Sequence, residues 1–232
     1  MVGDRVAVLM GGTSAEREIS LLSGGAVLAA LKSKGVDAHG VDVDADIVNE
    51  LSTGNYQRAF VMLHGRVGED GTIQGLLELT SMPYTGSGVM ASSLAMDKLK
   101  TKQIWLAMGL PTPEFAVLDS EESCESALED LVLPVIVKPV LEGSSIGMSK
   151  VEKKEELIPA WKKAQQCGGV VIAERWIEGD EYTAALLDDQ VLPMIKLKTT
   201  HKFYDYDAKY EATDTQYICP CGLLDSEESE FA

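Results

Sequence analysis

Several short stretches of this chain combine residue types that could hold an anionic or zwitterionic ligand. Gly11-Gly12-Thr13-Ser14-Ala15-Glu16-Arg17-Glu18 follows an apolar run and precedes a helical pattern, the place where α/β proteins bind ligands. It is neither a Walker A loop nor a dinucleotide fingerprint, because both spacings fail. Glu16 has two readings. Thr13-x-x-Glu16 fits a capping box, in which the carboxylate returns to the backbone, and a carboxylate in such a turn can equally meet a ligand. Arg17 and Glu18 beside it tilt the balance towards the ligand. Leu63-His64-Gly65-Arg66-Val67-Gly68-Glu69-Asp70-Gly71 is a second strand running into a glycine-rich turn. His64 there is open to a structural or a site role, and the two turns are expected to face one crevice.

Lys138-Pro139 precedes Glu142-Gly143-Ser144-Ser145-Ile146-Gly147. A hairpin loop of small residues can present successive N–H groups to an anion, and a strand lysine can add a point charge. The pair suits nucleotide phosphates; the competing reading is a surface hairpin with a snorkelling lysine. Glu174 to Glu181 and Phe203 to Tyr210 supply carboxylates, which can accept from ribose hydroxyls or an adenine amino group. The second stretch adds Tyr and Lys side chains that can close over a ligand and exclude water.

The elements that must position these residues follow from periodicity. Val6 to Met10, Val36 to Val43 and Ala59 to Leu63 read as strands, alternating with helices at Ile19 to Leu31, Ala45 to Leu51 and Gly71 to Leu79. Such alternation implies parallel strands with helical crossovers. After a helix at Lys98 to Met108, the prolines at 111 and 113 break the pattern. Strands at Pro134 to Pro139 and Gly147 to Val151 form a hairpin, followed by a helix at Lys153 to Cys167 and a strand at Val170 to Glu174. Tyr182 to Leu187 and Val191 to Lys198 read as an antiparallel pair. Thr199 to Thr215 has no clean period and reads as a long loop. Asp225 to Glu230 starts a helix with Ser226 as its N-cap. The chain stops at Ala232 after about one turn, so the sequence reads as ending in mid-domain.

Composition narrows the function classes. The 232 residues are 45% apolar and 25% charged, and 37 acidic against 20 basic side chains leave a net charge of −17. Bulk disorder is excluded, and nucleic acid and acidic lipid are disfavoured as partners. No apolar run approaches a membrane span or a secretory signal core, and a cytoplasmic location is the expectation. The four cysteines do not make a disulfide framework, and Cys219-Pro220-Cys221 has no second pair at zinc spacing.

In order along the chain, Gly11 to Ser20, Leu63 to Gly71, Pro83-Tyr84-Thr85-Gly86-Ser87-Gly88 with Met96-Asp97-Lys98, Lys138-Pro139 with Glu142-Gly143-Ser144-Ser145, and Tyr204 to Tyr210 resemble the motifs of D-alanine–D-alanine ligases. The resemblance implies an ATP-grasp architecture: an N-terminal doubly wound parallel-sheet subdomain at 1–97, a central α+β subdomain at 98–178, and an incomplete C-terminal subdomain at 179–232. It implies formation of an acyl phosphate from ATP and one D-alanine, then attack by the amine of a second, giving a dipeptide for peptidoglycan. By similarity, Glu16 binds the ammonium of the first D-alanine and His64 lies beside that substrate. Lys98, Lys138 and the loop Gly143, Ser144, Ser145 meet the ATP phosphates. Glu174, Trp176 and Glu181 meet adenine and ribose. Lys209 and Tyr210 sit on a closing loop, and Ser144, Tyr210 and Glu16 form one hydrogen-bonded set. Tyr210 in this pattern favours the dipeptide over the D-alanyl-D-lactate ester.

Family members continue into a segment with an oxyanion arginine and with Asp, Glu and Asn ligands for Mg2+ or Mn2+. By the resemblance those ligands lie beyond Ala232. No metal ligand is therefore expected among these 232 residues, and the alternative reading is an inactive fragment with weak nucleotide binding. Homodimerisation is expected from the resemblance alone. An NAD-dependent oxidoreductase would need Gly-x-Gly-x-x-Gly after the first strand, which residues 10 to 16 lack. A purely structural module leaves the Lys138 and Ser144 arrangement unexplained.

Overall fold

The computed structural model describes residues 3–231, so that Met1, Val2 and Ala232 lie outside the described residues. The chain divides into two units. The first comprises residues 1–112 with Pro139–Gly143 and Gly168–Ile172; the second is made of the remaining segments.

In the first unit, β1 (Arg5–Met10) is flanked by β2 (Asp37–Asp42) and β3 (Arg58–Val61) in one parallel sheet of order β2-β1-β3. Ala7 and Leu9 point into one apolar cluster with Ile47, Leu51, Ile73 and Leu77. Val8 and Met10 point into another with Leu21, Val27, Leu28 and Leu31. That is why Val6 to Met10 is apolar at every position: a strand covered on both faces has no polar side. The helices α1 (Arg17–Ser33), α2 (Ile47–Thr53) and α3 (Thr72–Leu79) supply those covers. Gly35 lies beyond the end of α1 at φ +77°, donating to the Lys32 carbonyl at 3.0 Å. The chain leaves β1 through α1 to reach β2, then crosses back through α2 to β3. The C-terminal ends of β1 and β3 thus border a topological switch point, where open α/β sheets bind ligands.

Two further helices, α4 (Val89–Met96) and α5 (Lys98–Met108), complete this unit; the first was not expected from periodicity. Asp97 caps α5 by accepting from the Lys100 N–H at 2.9 Å.

A four-stranded sheet of order β4-β7-β5-β6, most of it in the second unit, is made of β4 (Phe115–Leu118), β5 (Val135–Pro139), β6 (Ser149–Val151) and β7 (Val171–Arg175). The expected hairpin is present, with Val135 opposite Val151 and Val137 opposite Ser149 in antiparallel register. Helix α6 (Glu121–Asp130) shows no clear period in the sequence; it begins at a reciprocal cap between Ser120 and Ser123. The helix expected at 153–167 opens with a 3₁₀ turn and settles into α7 (Leu157–Gln165). Trp161 on α7 donates to the Leu118 carbonyl at 3.1 Å, tying helix to sheet.

Beyond Gly179 the expected two-strand pair is divided. A short hairpin joins β9 (Leu186–Leu187) to β10 (Gln190–Val191), while β8 (Glu181–Thr183) pairs with β11 (Ile195–Lys198). The far edge of β11 takes β12 (Gln216–Ile218). Thr199 to Thr215 is not all loop. Asp205 accepts from the Ala208 N–H and starts α8 (Tyr206–Tyr210).

The last helix, α9, runs over the seven residues Asp225–Phe231. Ser226 therefore lies inside it rather than capping it, and the first turn closes on the Leu224 carbonyl, which accepts from Glu227 and Glu228. Seven residues make about two turns, so the expectation of a single turn before Ala232 is corrected: the helix starts one residue earlier than its supposed cap. Ala232 itself, the position beyond which metal ligands were expected, lies outside the described residues.

Candidate functional site

At the switch point of the first unit, the capping box expected from Thr13 and Glu16 is not formed. Glu16 is itself the residue before α1, and its side chain makes no cap hydrogen bond. Its N–H donates instead to Ser14 Oγ at 3.2 Å. Glu16 is only 4% exposed, and its carboxylate lies against two glycines. A Cβ on Gly65 would stand 2.7 Å from Oε2, and one on Gly143 would stand 3.1 Å from the same oxygen. Gly65 also adopts φ +66°, so both space and backbone require glycine there.

Three serines with no individual role expected from the sequence close this crevice. Ser14 Oγ donates to the His64 carbonyl at 2.7 Å. Ser20, fully buried, accepts from the Gly11 N–H at 2.9 Å and donates to the Met62 carbonyl at 2.6 Å. Ser23 Oγ stands 3.3 Å from Nε2 of the half-buried His64. The signal that could have found them is weak: serines at 20 and 23 share the α1 face that looks on β1.

Several charged residues of the two turns have structural partners. Arg17 makes a two-pronged pair with Asp42 and also donates to the Gly12 carbonyl at 2.9 Å. Glu69 accepts from the Gly65 N–H at 2.7 Å, and Asp70 accepts from the N–H groups of Val67 and Thr72 at 3.0 Å. Burial raises the Asp70 carboxyl, but these hydrogen bonds outweigh it and hold the group below its usual range. Arg66 reaches Glu142 at 3.6 Å. Lys98 Nζ donates to the Glu142 carbonyl at 2.5 Å, at the threshold of the Gly143 loop.

In the second unit, Ser144 and Ser145 take consecutive left-handed conformations, φ +50° and +61°. Such backbone costs a non-glycine residue about 1–3 kcal/mol and concentrates at ligand-handling turns. Ser144 Oγ shares a 2.6 Å hydrogen bond with Tyr210 Oη, and Ser145 Oγ donates to the Tyr204 carbonyl at 2.9 Å. The serine loop is therefore tied to the Tyr-rich segment at two points. Lys138 and Glu174, both well sheltered, form an ion pair with each other.

The Trp176 backbone N–H donates to the Pro134 carbonyl at 3.0 Å, and Lys150 stands 4.4 Å above the Trp176 ring. Burial pushes the Glu181 carboxyl upward, and the charge of Lys209 opposes that shift. Lys209 also lies 5.2 Å over the Tyr204 ring. Burial and the Tyr217 hydroxyl, 2.9 Å away, push the Tyr204 phenol upward.

A separate cleft of about 460 Å³, lined by Lys150, Glu152, Glu156, Lys163 and Lys202 among others, contains none of the residues singled out from the sequence. Among the described residues no group of three or more His, Cys, Asp or Glu side chains could hold a metal ion. No helix among them is long and apolar enough to cross a membrane.

Family models match two stretches of this chain. Residues 104–231 match the D-ala D-ala ligase C-terminus, and residues 44–87 match the D-ala D-ala ligase N-terminus. A D-alanine–D-alanine ligase of Pseudomonas fluorescens (strain Pf0-1) is 61% identical over 227 residues, spanning 98% of this chain and 70% of the relative. The crystal structure of a D-alanine–D-alanine ligase from Bacillus anthracis superposes with TM-score 0.83 at 32% identity, covering 98% of this chain and 75% of that one. A D-alanine–D-alanine ligase from Bacillus anthracis complexed with ATP gives TM-score 0.79 at 28% identity, over 98% and 74% of the two chains.

Proposed function

Because this chain belongs to the D-alanine–D-alanine ligase family and has its ATP-grasp fold, we propose that it serves the ATP-dependent joining of two D-alanines through an acyl phosphate, for peptidoglycan precursors. A carboxylate is a poor acyl donor, and phosphorylation gives it a leaving group. The protein's part is then positioning and charge neutralisation, without a covalent nucleophile of its own.

The observation that carries this reading is the serine loop. Two successive left-handed serines, tied through Ser144 to Tyr210 and through Ser145 to the Tyr204 backbone, suit a loop that closes over phosphates. Lys98, Lys138 and Gly143 to Ser145 are proposed to bind the ATP phosphates, with Lys138 exchanging part of its contact with Glu174 for them. Glu174, Trp176 and Glu181 are proposed for adenine and ribose. A buried carboxylate at a switch point fits an ammonium group, so Glu16 is assigned to the first D-alanine, with His64 beside it. Ser144, Lys209 and Tyr210 are assigned to the reacting end, Tyr210 selecting an amine as second substrate. The division into subdomains at 1–97, 98–178 and 179–232 is part of the same proposal, as is assembly into a homodimer in the cytoplasm.

The matched relatives are longer than the region they share with this chain. The Mg2+ or Mn2+ ligands are proposed to belong to the part of those relatives that follows the position of Ala232. Because that part supplies the metal ligands in this proposal, residues 1–232 alone are inferred to give no turnover.

A coupled ADP-release assay tests the proposal in the full-length ligase, meaning this sequence carried to the length of its relatives. D-alanine-dependent ADP release is expected, and Lys138→Ala should lower kcat/KM for ATP by roughly 10- to 150-fold, the loss of one charged hydrogen bond worth about 1.5–3 kcal/mol. ADP release indifferent to D-alanine would overturn the function. Wild-type ATP constants in Lys138→Ala would overturn the phosphate assignment, and turnover by residues 1–232 at the full-length rate would overturn the inference of inactivity.

A further inference from the structure

His64 is fixed at both its backbone and its ring, and the ring's partner decides what the imidazole can do. Its carbonyl accepts from Ser14, and the next residue, Gly65, is pressed against Glu16. The ring meets Ser23, whose Oγ stands 3.3 Å from Nε2. A serine hydroxyl has one proton to donate and lone pairs to accept with. Ser23 Oγ lies 2.9 Å from the Ile19 carbonyl and 3.3 Å from the Ser20 carbonyl, the first nearer than the ring and the second as near, and a proton given to either is withheld from His64. With its proton on the helix the hydroxyl meets His64 as an acceptor, and Nε2 carries the hydrogen of that contact. In the neutral ring Nδ1 then holds the lone pair. Among the described residues no hydrogen bond engages Nδ1.

We infer that Ser23 is a positioning residue that holds His64 in the Nε2–H tautomer, so that Nδ1 accepts a hydrogen bond from the ammonium group of the first amino-acid substrate. An Nδ1 lone pair repels a carboxylate and attracts an N⁺–H donor, which gives the imidazole the same preference as Glu16. The inference rests on the proposed placing of that substrate beside His64.

Long-range ¹H–¹⁵N correlation spectra of the neutral His64 ring in the full-length ligase read the tautomer directly. Nε2–H is expected in the wild type, a mixture of tautomers in Ser23→Ala, and a return to Nε2–H in Ser23→Thr. In steady-state assays Ser23→Ala should raise KM for the first D-alanine about three- to tenfold, the range one neutral hydrogen bond allows. KM for ATP and the melting temperature should stay put, and Ser23→Thr should restore most of the loss. An Nδ1–H tautomer in the wild type overturns the inference. So does an unchanged D-alanine KM in Ser23→Ala when His64→Ala raises it. An unchanged KM in His64→Ala instead overturns the placing of substrate beside His64, and the ammonium contact with it, whatever the tautomer.

Discussion

The turns that follow β1 and β3 in the first unit and the Tyr-rich stretch between β11 and β12 in the second both carry residues assigned to substrates, yet they are held differently. In the first unit side chains grip backbone: Ser14 and Ser20 reach the carbonyls of His64 and Met62, and Glu69 takes the Gly65 N–H. Ser20 is fully buried, and the glycines have no room to spare. In the second unit several ties join the tips of exposed or half-exposed side chains: Ser144 to Tyr210, Tyr204 to Tyr217, and Thr200 to Asp214 at 2.5 Å. Buried backbone contacts are costly to break because they leave unsatisfied groups, whereas exposed hydroxyl contacts exchange for water at little cost. The difference teaches that the crevice after β1 and β3, the one proposed for the first D-alanine, is preformed, while the ties of the Tyr-rich segment break at a low free-energy cost.

The strongest attempt to break this comparison is Gly68→Ala. The new Cβ would stand 2.4 Å from Leu63 Cβ and 2.8 Å from its carbonyl carbon, with no flexible tip to yield. We expect a loss of about 3 kcal/mol in urea unfolding, the upper range for overpacking. A change under about 0.5 kcal/mol, the usual scale of surface substitutions, would show that the turn is not packed as described.

Ser20→Ala comes next. It strands the Gly11 N–H and the Met62 carbonyl in a buried place and should cost about 2 kcal/mol. The same measurement reads it, and Ser20→Thr should recover part of the loss.

Tyr210→Phe is expected to leave the unfolding midpoint close to wild type, since the hydroxyl contact with Ser144 that it removes lies at an exposed place. Its effect should show in selection instead, with D-lactate accepted relative to D-alanine about fivefold more readily, equivalent to roughly 1 kcal/mol. A product ratio unmoved by the change would remove Tyr210 from second-substrate selection. A fall in stability matching that of Ser20→Ala would erase the contrast between the two regions.

The smallest expected effect is the acid response of the Arg17–Asp42 clasp. The hydrogen bond from Arg17 holds the Asp42 carboxyl below its usual range, against a smaller opposing effect of burial. The folded-state value thus lies under the unfolded one. The stabilisation is complete above the unfolded value, near 3.9, and is lost as pH falls through the folded value. Unfolding free energies followed downward from pH 5 should therefore fall slightly less steeply in Asp42→Asn than in the wild type. Both side chains are well exposed, so salt should shrink the difference, and parallel pH curves at low salt would rule out a role for the clasp.

Much of the first unit was legible in advance. The apolar run from Val6 to Met10 before a Gly-Gly turn reads as a strand, and the helical spacing from Ile19 to Leu31 as a helix, and both stand as β1 and α1. The helix over Lys98 to Met108 was readable to the residue, because Gly109 and the prolines that follow stop it. Strand β4 and the acidic helix α6 were not legible. One is four residues long and is defined by its place beside β7, and the other buries only Cys124 and Ala127. The five-residue helix α8 escaped because its single local signal, the cap at Asp205, is one among many Asp and Tyr residues there.

By itself the sequence determined the backbone states of the long elements and the collinear motifs that mark the family, since both depend on residues close together in the chain. Tertiary structure decided which partner each polar group takes. Thr13 and Glu16 fit a capping box by spacing, yet Ser14 and Ser20 turn to partners 50 and 42 residues away. Lys138 finds Glu174 across 36 residues. A side chain's hydrogen-bond partner depends on which strand ends lie side by side, and the order β2-β1-β3 that sets this is a property of the packed sheet rather than of any local run of residues.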